Sequence, residues 1–195
     1  MAINRWMTAA SVVAFAAAAF AGPASAQDLK IGALMPMTGD LSAYGEADLS
    51  GIQLAAEEIN AGGGKVEIVV ADTQTNPQAG VDAAQKLVNV EGVNAIVGAL
   101  SSGVTIPVAT SITSREGVLQ ITSASTSPTI TTLKDNDFLF RTVPSDAFQG
   151  IALAKLVTEK GVKNVSIIYV NNAYGQGLAD AFAKAYQGMD GTVTE

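Results

Sequence analysis

Two hydroxyl-rich stretches and two tyrosines are the residues of this chain best suited to chemistry. Ser101 and Ser102 stand just before a helical pattern. Thr122-Ser123-Ala124-Ser125-Thr126-Ser127-Pro128-Thr129 stands before another, and Tyr44 and Tyr174 each lie near the end of a polar loop. Hydroxyls beside the free backbone N–H groups of a helix N-terminus suit a carboxylate or a phosphate. Each element also has a plainer use. Serine is a good N-cap, a Ser/Thr stretch is commonly a solvated loop, and a tyrosine ring packs readily on the helix that follows it. Neutral donors combined with aromatic walls suit a small zwitterion better than a phosphate ester.

Much other chemistry is excluded by what the chain lacks. It has no histidine and no cysteine, so Ser-His-Asp and Cys-His pairs, imidazole general bases, thiolate catalysis, disulfides and zinc clusters are all unavailable. No G-x-x-x-x-G-K-[ST] loop is present, and Gly175-Gln176-Gly177 is not a G-x-G-x-x-G fingerprint because position 180 is Asp. A formal charge of −7 without a basic run lacks the electrostatic footprint of a nucleic-acid binder. The acids Asp40, Asp48, Asp72 and Asp146 read as scattered over loops and helix starts, each with a capping or surface role available. A metal-assisted hydrolase using Asp and Ser is therefore the weaker alternative, and no metal or cofactor is expected.

The elements that must position these residues follow from the hydrophobic period. Leu29 to Met35 reads as a buried strand. Ala47 to Ala61 reads as a helix with Leu49, Ile52, Ala56 and Ile59 on one face, stopped by Gly62-Gly63-Gly64. Val66 to Ala71 is a second strand. Asn76 as N-cap and Pro77 at the first helical position open a helix to about Val90, with Val81, Ala84, Leu87 and Val88 inward. Strands are expected at Ala95–Gly98, Leu119–Thr122, Phe138–Arg141 and Val165–Val170, with the start of another at Gly191–Glu195. Helices are expected at Ile106–Glu116, Ala147–Lys160 and Gly177–Gln187, and Asp146 and Gln149 have capping-box spacing. This alternation implies an α/β fold with a parallel sheet and helices on both faces, and ligands bind such sheets at the carboxyl ends of the strands. Both hydroxyl stretches and both tyrosines sit there, and pairing of adjacent strands would bring residues 122–129 beside Ser101 and Ser102.

Residues 1–26 read as a secretory signal. Arg5 precedes an apolar run from Met7 to Ala21, then Gly22-Pro23 and Ala24-Ser25-Ala26 supply a small-residue cleavage site. The run is shorter than the roughly 20 residues of a membrane span. Export to a bacterial periplasm is expected.

With these blocks in order, the chain resembles the type I periplasmic solute-binding proteins of ABC transporters, in the branched-chain amino-acid (Leu/Ile/Val) group. The resemblance rests on Ile31-Gly32-Ala33-Leu34-Met35-Pro36-Met37-Thr38-Gly39 with Tyr44-Gly45, on Gly98-Ala99-Leu100-Ser101-Ser102, and on Thr122 to Pro128. Phe140-Arg141-Thr142-Val143-Pro144-Ser145-Asp146 and Ala173-Tyr174-Gly175-Gln176-Gly177 complete it. It implies two doubly wound parallel-sheet lobes closing on an amino acid: an N-terminal lobe at 27–143 and the start of a second at 144–195, incomplete in this chain. It implies that Ser102 and the Thr126 N–H hold the ligand carboxylate, that the Ala124 carbonyl and Thr126 hydroxyl accept the ammonium, and that Tyr174 closes from the second lobe. Tyr44 and Leu100 are implied as walls, and Asp146 as a further ammonium partner or a helix cap. The disulfide of some members is implied to be absent here, its positions being Thr75 and Ser101. An acid completing the ammonium site is expected beyond Glu195. The implied protein is a monomeric carrier that delivers its ligand to a membrane permease and catalyses nothing. The same fold holding an amide, urea, polyol or aromatic acid is the nearest alternative.

Overall fold

The structure is a computed structural model and describes residues 28–194; the signal reading of residues 1–26 lies outside them. Five strands, β1 (Leu29–Met35), β2 (Val66–Asp72), β3 (Ala95–Gly98), β4 (Leu119–Thr122) and β5 (Leu139–Arg141), form one sheet in the order β2-β1-β3-β4-β5. All pairs are parallel. The β1–β2 register runs from Leu29↔Val66 to Met35↔Asp72, and β1 meets β3 from Ile31↔Ala95 to Leu34↔Gly98. The chain leaves β1 toward β2 on one side and returns to build β3, β4 and β5 on the other. The strand order therefore reverses between β1 and β3, where the loops diverge and leave a crevice. A second parallel sheet pairs β6 (Asn164–Ser166) with β7 (Thr192–Thr194).

The main helices in the connections are α1 (Ser42–Ala61), α2 (Pro77–Asn89), α3 (Ser102–Val108), α4 (Thr129–Thr132), α5 (Asp146–Glu159) and α6 (Ala173–Gln187). Asn76 starts α2 as expected, its side chain accepting the N–H groups of Gln78 and Ala79 ahead of Pro77. Helix α3 contains Pro107, which has no N–H to give, and directly afterwards widens into a π-helical turn, Ala109–Thr113. Gly117, at φ 68°, ends the element in a left-handed cap.

Alternation along the strands sorts side chains onto the two faces of the large sheet. Leu34 and Ile96 point into a core with Ala84 and Leu87 of α2 and Val104 and Val108 of α3. Ile31, Met35, Ile68, Val97 and Ile121 take the opposite face, where α1 lies and a groove of about 560 Å³ runs beside it.

Strands β1, β3 and β4 have the expected limits. Three helices start earlier than the hydrophobic period indicates: α1 at Ser42, α3 at Ser102 and α6 at Ala173. Their first turns face the crevice, so they carry polar residues and no apolar stripe. The strand expected over Val165–Val170 ends at Ser166, because its ladder with β7 covers only Asn164 to Ser166 and an extended segment needs a partner for its backbone groups. Ile168, read as buried, is fully exposed. Ile59 on the expected inner face of α1 is half exposed, since that face borders the groove. Ser145, not Asp146, caps α5: its hydroxyl accepts the Ala147 N–H and Asp146 occupies the first helical position.

Candidate functional site

A cavity of about 650 Å³ opens where the strand order reverses. Asp40, Tyr44 and Asp48 line it from the segment after β1, Leu100 to Val104 from that after β3, and Ala124 from that after β4. Val170, Asn172 and Tyr174 line the other side. Of the residues singled out in the sequence, Tyr44, Leu100, Ser102, Ala124 and Tyr174 meet here. Thr126 and Asp146 do not line the cavity but bond to each other: the Thr126 hydroxyl donates to Asp146 Oδ2 at 2.7 Å and the Asp146 N–H to the Thr126 carbonyl at 2.9 Å.

The hydroxyl loops are held by a buried polar lattice. Ser101 is the N-cap of α3 yet makes no side-chain cap bond, so capping does not account for its hydroxyl. Ser102 is buried, and its Oγ accepts the N–H of Ser127 at 3.2 Å. Thr122 and Thr105 both donate to the Ala99 carbonyl, at 2.6 and 2.9 Å, and Ser125 donates to that of Leu100 at 3.0 Å. One layer below, Gln120 donates to the Gly98 carbonyl at 3.0 Å and accepts from Thr113 at 2.7 Å. Gly98 sits at φ 138°, and a Cβ there would overlap the Leu34 carbonyl, so only glycine lets β3 turn into this loop against β1. Arg141 closes the lattice, donating from Nη1 to the carbonyls of Ser127 at 2.9 Å and Thr126 at 3.3 Å, and from Nη2 to Thr131.

The segment after β1 is tied to β2. Asp72 accepts the N–H groups of Met37, Thr38 and Gln74 and the Thr38 hydroxyl, at 2.6 to 3.1 Å. Partial burial works to raise the Asp72 pKa, and these hydrogen bonds, the Thr38 hydroxyl foremost, outweigh it and hold the carboxyl below the usual range. Thr75 accepts the Leu41 N–H at 3.1 Å, and Thr75 and Ser101 both line the cavity. Across the crevice, Asn172 caps α6 through the Gly175 N–H at 2.9 Å and presents Tyr174, which is partly exposed, while Tyr44 on the facing wall is mostly exposed. Gly177 lies against the hydroxyl loop: a Cβ there would come within 2.9 Å of Pro128 Cδ and 3.0 Å of Ser127 Oγ.

Chemically, the cavity lining offers the hydroxyls of Thr75, Ser101 and Ser102, the carboxylates of Asp40 and Asp48, and the rings of Tyr44 and Tyr174. Among the described residues lining it there is no lysine or arginine. Over residues 28–195 the sequence matches the family described as periplasmic binding protein. The chain belongs to the periplasmic binding protein family. It is 37% identical over 190 residues to a Leu/Ile/Val-binding protein homolog 3 of Brucella melitensis, a match covering 95% of this chain and 50% of that protein. Among solved structures it is similar to a leucine-binding protein, LivK, of Thermotoga maritima (TM-score 0.77, 32% identity, 85% of this chain and 47% of that one). The branched-chain amino-acid transporter substrate-binding protein LivJ of Streptococcus pneumoniae, in complex with isoleucine, matches with TM-score 0.75 and 32% identity over 86% of this chain and 48% of that one. The chain thus spans about half the length of the relatives it matches.

For this periplasmic binding protein, several cavity residues escaped the sequence reading. Asp40 and Asp48 were taken as scattered, whereas both line the cavity with Tyr44: Tyr44 and Asp48 lie four positions apart on α1, a spacing readable once α1 is started at Ser42, and Asp40 lies in the turn before it. Val170 was hidden by the overlong strand, and Asn172 in the polar loop after it. Arg141 acts through backbone carbonyls, which leave no mark in a sequence.

Proposed function

We propose that this protein is the extracytoplasmic solute-binding component of an ABC transporter, capturing a small amino acid, branched-chain by its relatives, between two lobes and delivering it to a membrane permease. In this view residues 1–26 are a cleaved signal, 27–143 form the first lobe and 144–195 begin the second. The protein works in the periplasm as a monomer, without catalysis or cofactor.

The observation that carries this function is the cavity at the strand reversal, with uncharged hydroxyl donors on one wall and Tyr174 on the other. The Ser102 hydroxyl, its oxygen already accepting from Ser127, keeps its proton for the ligand carboxylate. The Ala124 carbonyl takes the ammonium, while Thr126, which lies off the cavity wall and donates to Asp146, supports the loop that presents Ala124. Tyr44 and Leu100 wall the side chain, and Tyr174 covers it. A ligand touching both sides favours the closed arrangement, which the permease reads.

A thermal-shift screen of the intact protein over amino acids, amides, urea, polyols and benzoates tests this, because a bound ligand raises the melting temperature. Leucine, isoleucine or valine should give the largest rise. A rise with benzoates or amides alone would replace the amino acid by that class.

A further inference from the structure

We propose that Asp48 is a further residue of the ligand site, a carboxylate at the ammonium end that makes the cavity select a zwitterion over the same acid lacking its ammonium. This rests on the amino-acid function proposed above and names what the first lobe contributes to its specificity.

Three observations converge on Asp48. It lines the same cavity as Ser102, Ala124 and Tyr174, at the border where that cavity meets the groove beside α1, which Asp48 and Ser123 also line. Its orientation is set from across the sheet: the Ser123 hydroxyl donates to Asp48 Oδ2 at 2.6 Å, over 75 positions of sequence. Ser123 is the residue directly before Ala124, so the bond ties Asp48 to the loop whose next residue also lines the cavity, and Oδ1 has no protein partner among the described hydrogen bonds.

The charge balance of the walls gives this placement its effect. With Asp40 and Asp48 present and no lysine or arginine among the described lining residues, a ligand bearing only a carboxylate meets net negative walls. The Ser101 and Ser102 hydroxyls can solvate that carboxylate but add no positive charge. An ammonium on the same ligand reverses the sign of the interaction with Asp48, and excluding water from the cavity strengthens it. A partly buried aspartate four positions after Tyr44 on α1 is thus placed to discriminate by charge, while the tyrosine bounds the side chain by shape.

Calorimetry on the intact protein with leucine and with 4-methylpentanoate, its ammonium-free analogue, tests the proposal. Asp48→Asn should weaken leucine binding by about tenfold while leaving the analogue unchanged or tighter. Ser123→Ala, which removes the hydrogen bond and keeps the charge, should preserve the preference for leucine. Asp48→Glu, retaining the charge should the asparagine variant fail to fold, should also preserve it. Equal weakening of both ligands by Asp48→Asn, or no change in either, overturns the role of Asp48 while wild-type leucine binding leaves the amino-acid function standing. A wild-type protein that binds no amino acid overturns that function, and the role of Asp48 with it.

Discussion

The Oγ of Ser102 accepts the backbone N–H of Ser127 at 3.2 Å, joining the loop after β3 to the loop after β4. The serine is buried at the crevice, and accepting this bond leaves its O–H free to donate. Ser102→Ala should therefore weaken amino-acid binding by roughly 1 to 3 kcal/mol, the cost of leaving a buried polar partner unsatisfied. Titration calorimetry on the intact protein measures this directly, and unchanged affinity would remove Ser102 from the site.

Arg141 holds the same loop from behind, through the carbonyls of Thr126 and Ser127. Arg141→Met deletes both bonds and should loosen residues 123–127, lowering affinity by about tenfold, in line with the loss of a charge-assisted hydrogen bond. Hydrogen exchange should quicken at the Ser127 amide. Lysine, with its single donor centre, should restore part of the affinity, and equal losses for methionine and lysine would show that the planar fork is what matters.

Asp72 makes the fold sensitive to acid. Its pKa is depressed in the folded chain, so the stability it contributes is present above the unfolded value, about 3.9, and is lost as pH falls through the lower folded value. Melting temperatures of wild type should fall more steeply below about pH 4 than those of Asp72→Asn, which has no such proton to take up. Parallel curves would assign the acid limb to other carboxylates.

Gly177 brings α6 against the hydroxyl loop with no room for a side chain. Gly177→Val should push α6 from Pro128 and Ser127 at a cost of about 1 to 3 kcal/mol and carry Tyr174 away from the cavity. Ligand affinity should fall more than the melting temperature of the unliganded protein does. A loss confined to the melting temperature would mark the contact as packing only.

How far the sequence revealed all this depends on where apolar side chains had to be. Strands β1, β3 and β4 were legible because continuous runs such as Ile31 to Met35 fit only a buried strand. The parallel sheet followed from alternation, and the meeting of residues 122–129 with Ser102 from the pairing of adjacent strands, whereas the strand order was not read from the sequence. The first turns of α1, α3 and α6 were not legible, since residues such as Tyr44, Ser102 and Tyr174 line the crevice rather than the core. That error concealed the alignment of Tyr44 and Asp48 on α1. The capping of α5 by Ser145 was missed because Asp146 fits the same pattern one position later, and only the bond from Thr126 shows where its carboxylate goes.

The separation of the cavity walls onto different strands has a practical side. Tyr44 and Asp48 follow the end of β1, whereas Ser102 and Ala124 follow β3 and β4, and among the described hydrogen bonds the one side-chain tie between the two groups is that of Ser123 to Asp48. Under the proposed amino-acid function, changing Tyr44 should alter what the pocket admits while the lattice from Thr105 to Arg141 stays as it is. A biosensor retuned from one such ligand to another would then start at α1 and leave the proposed carboxylate grip untouched.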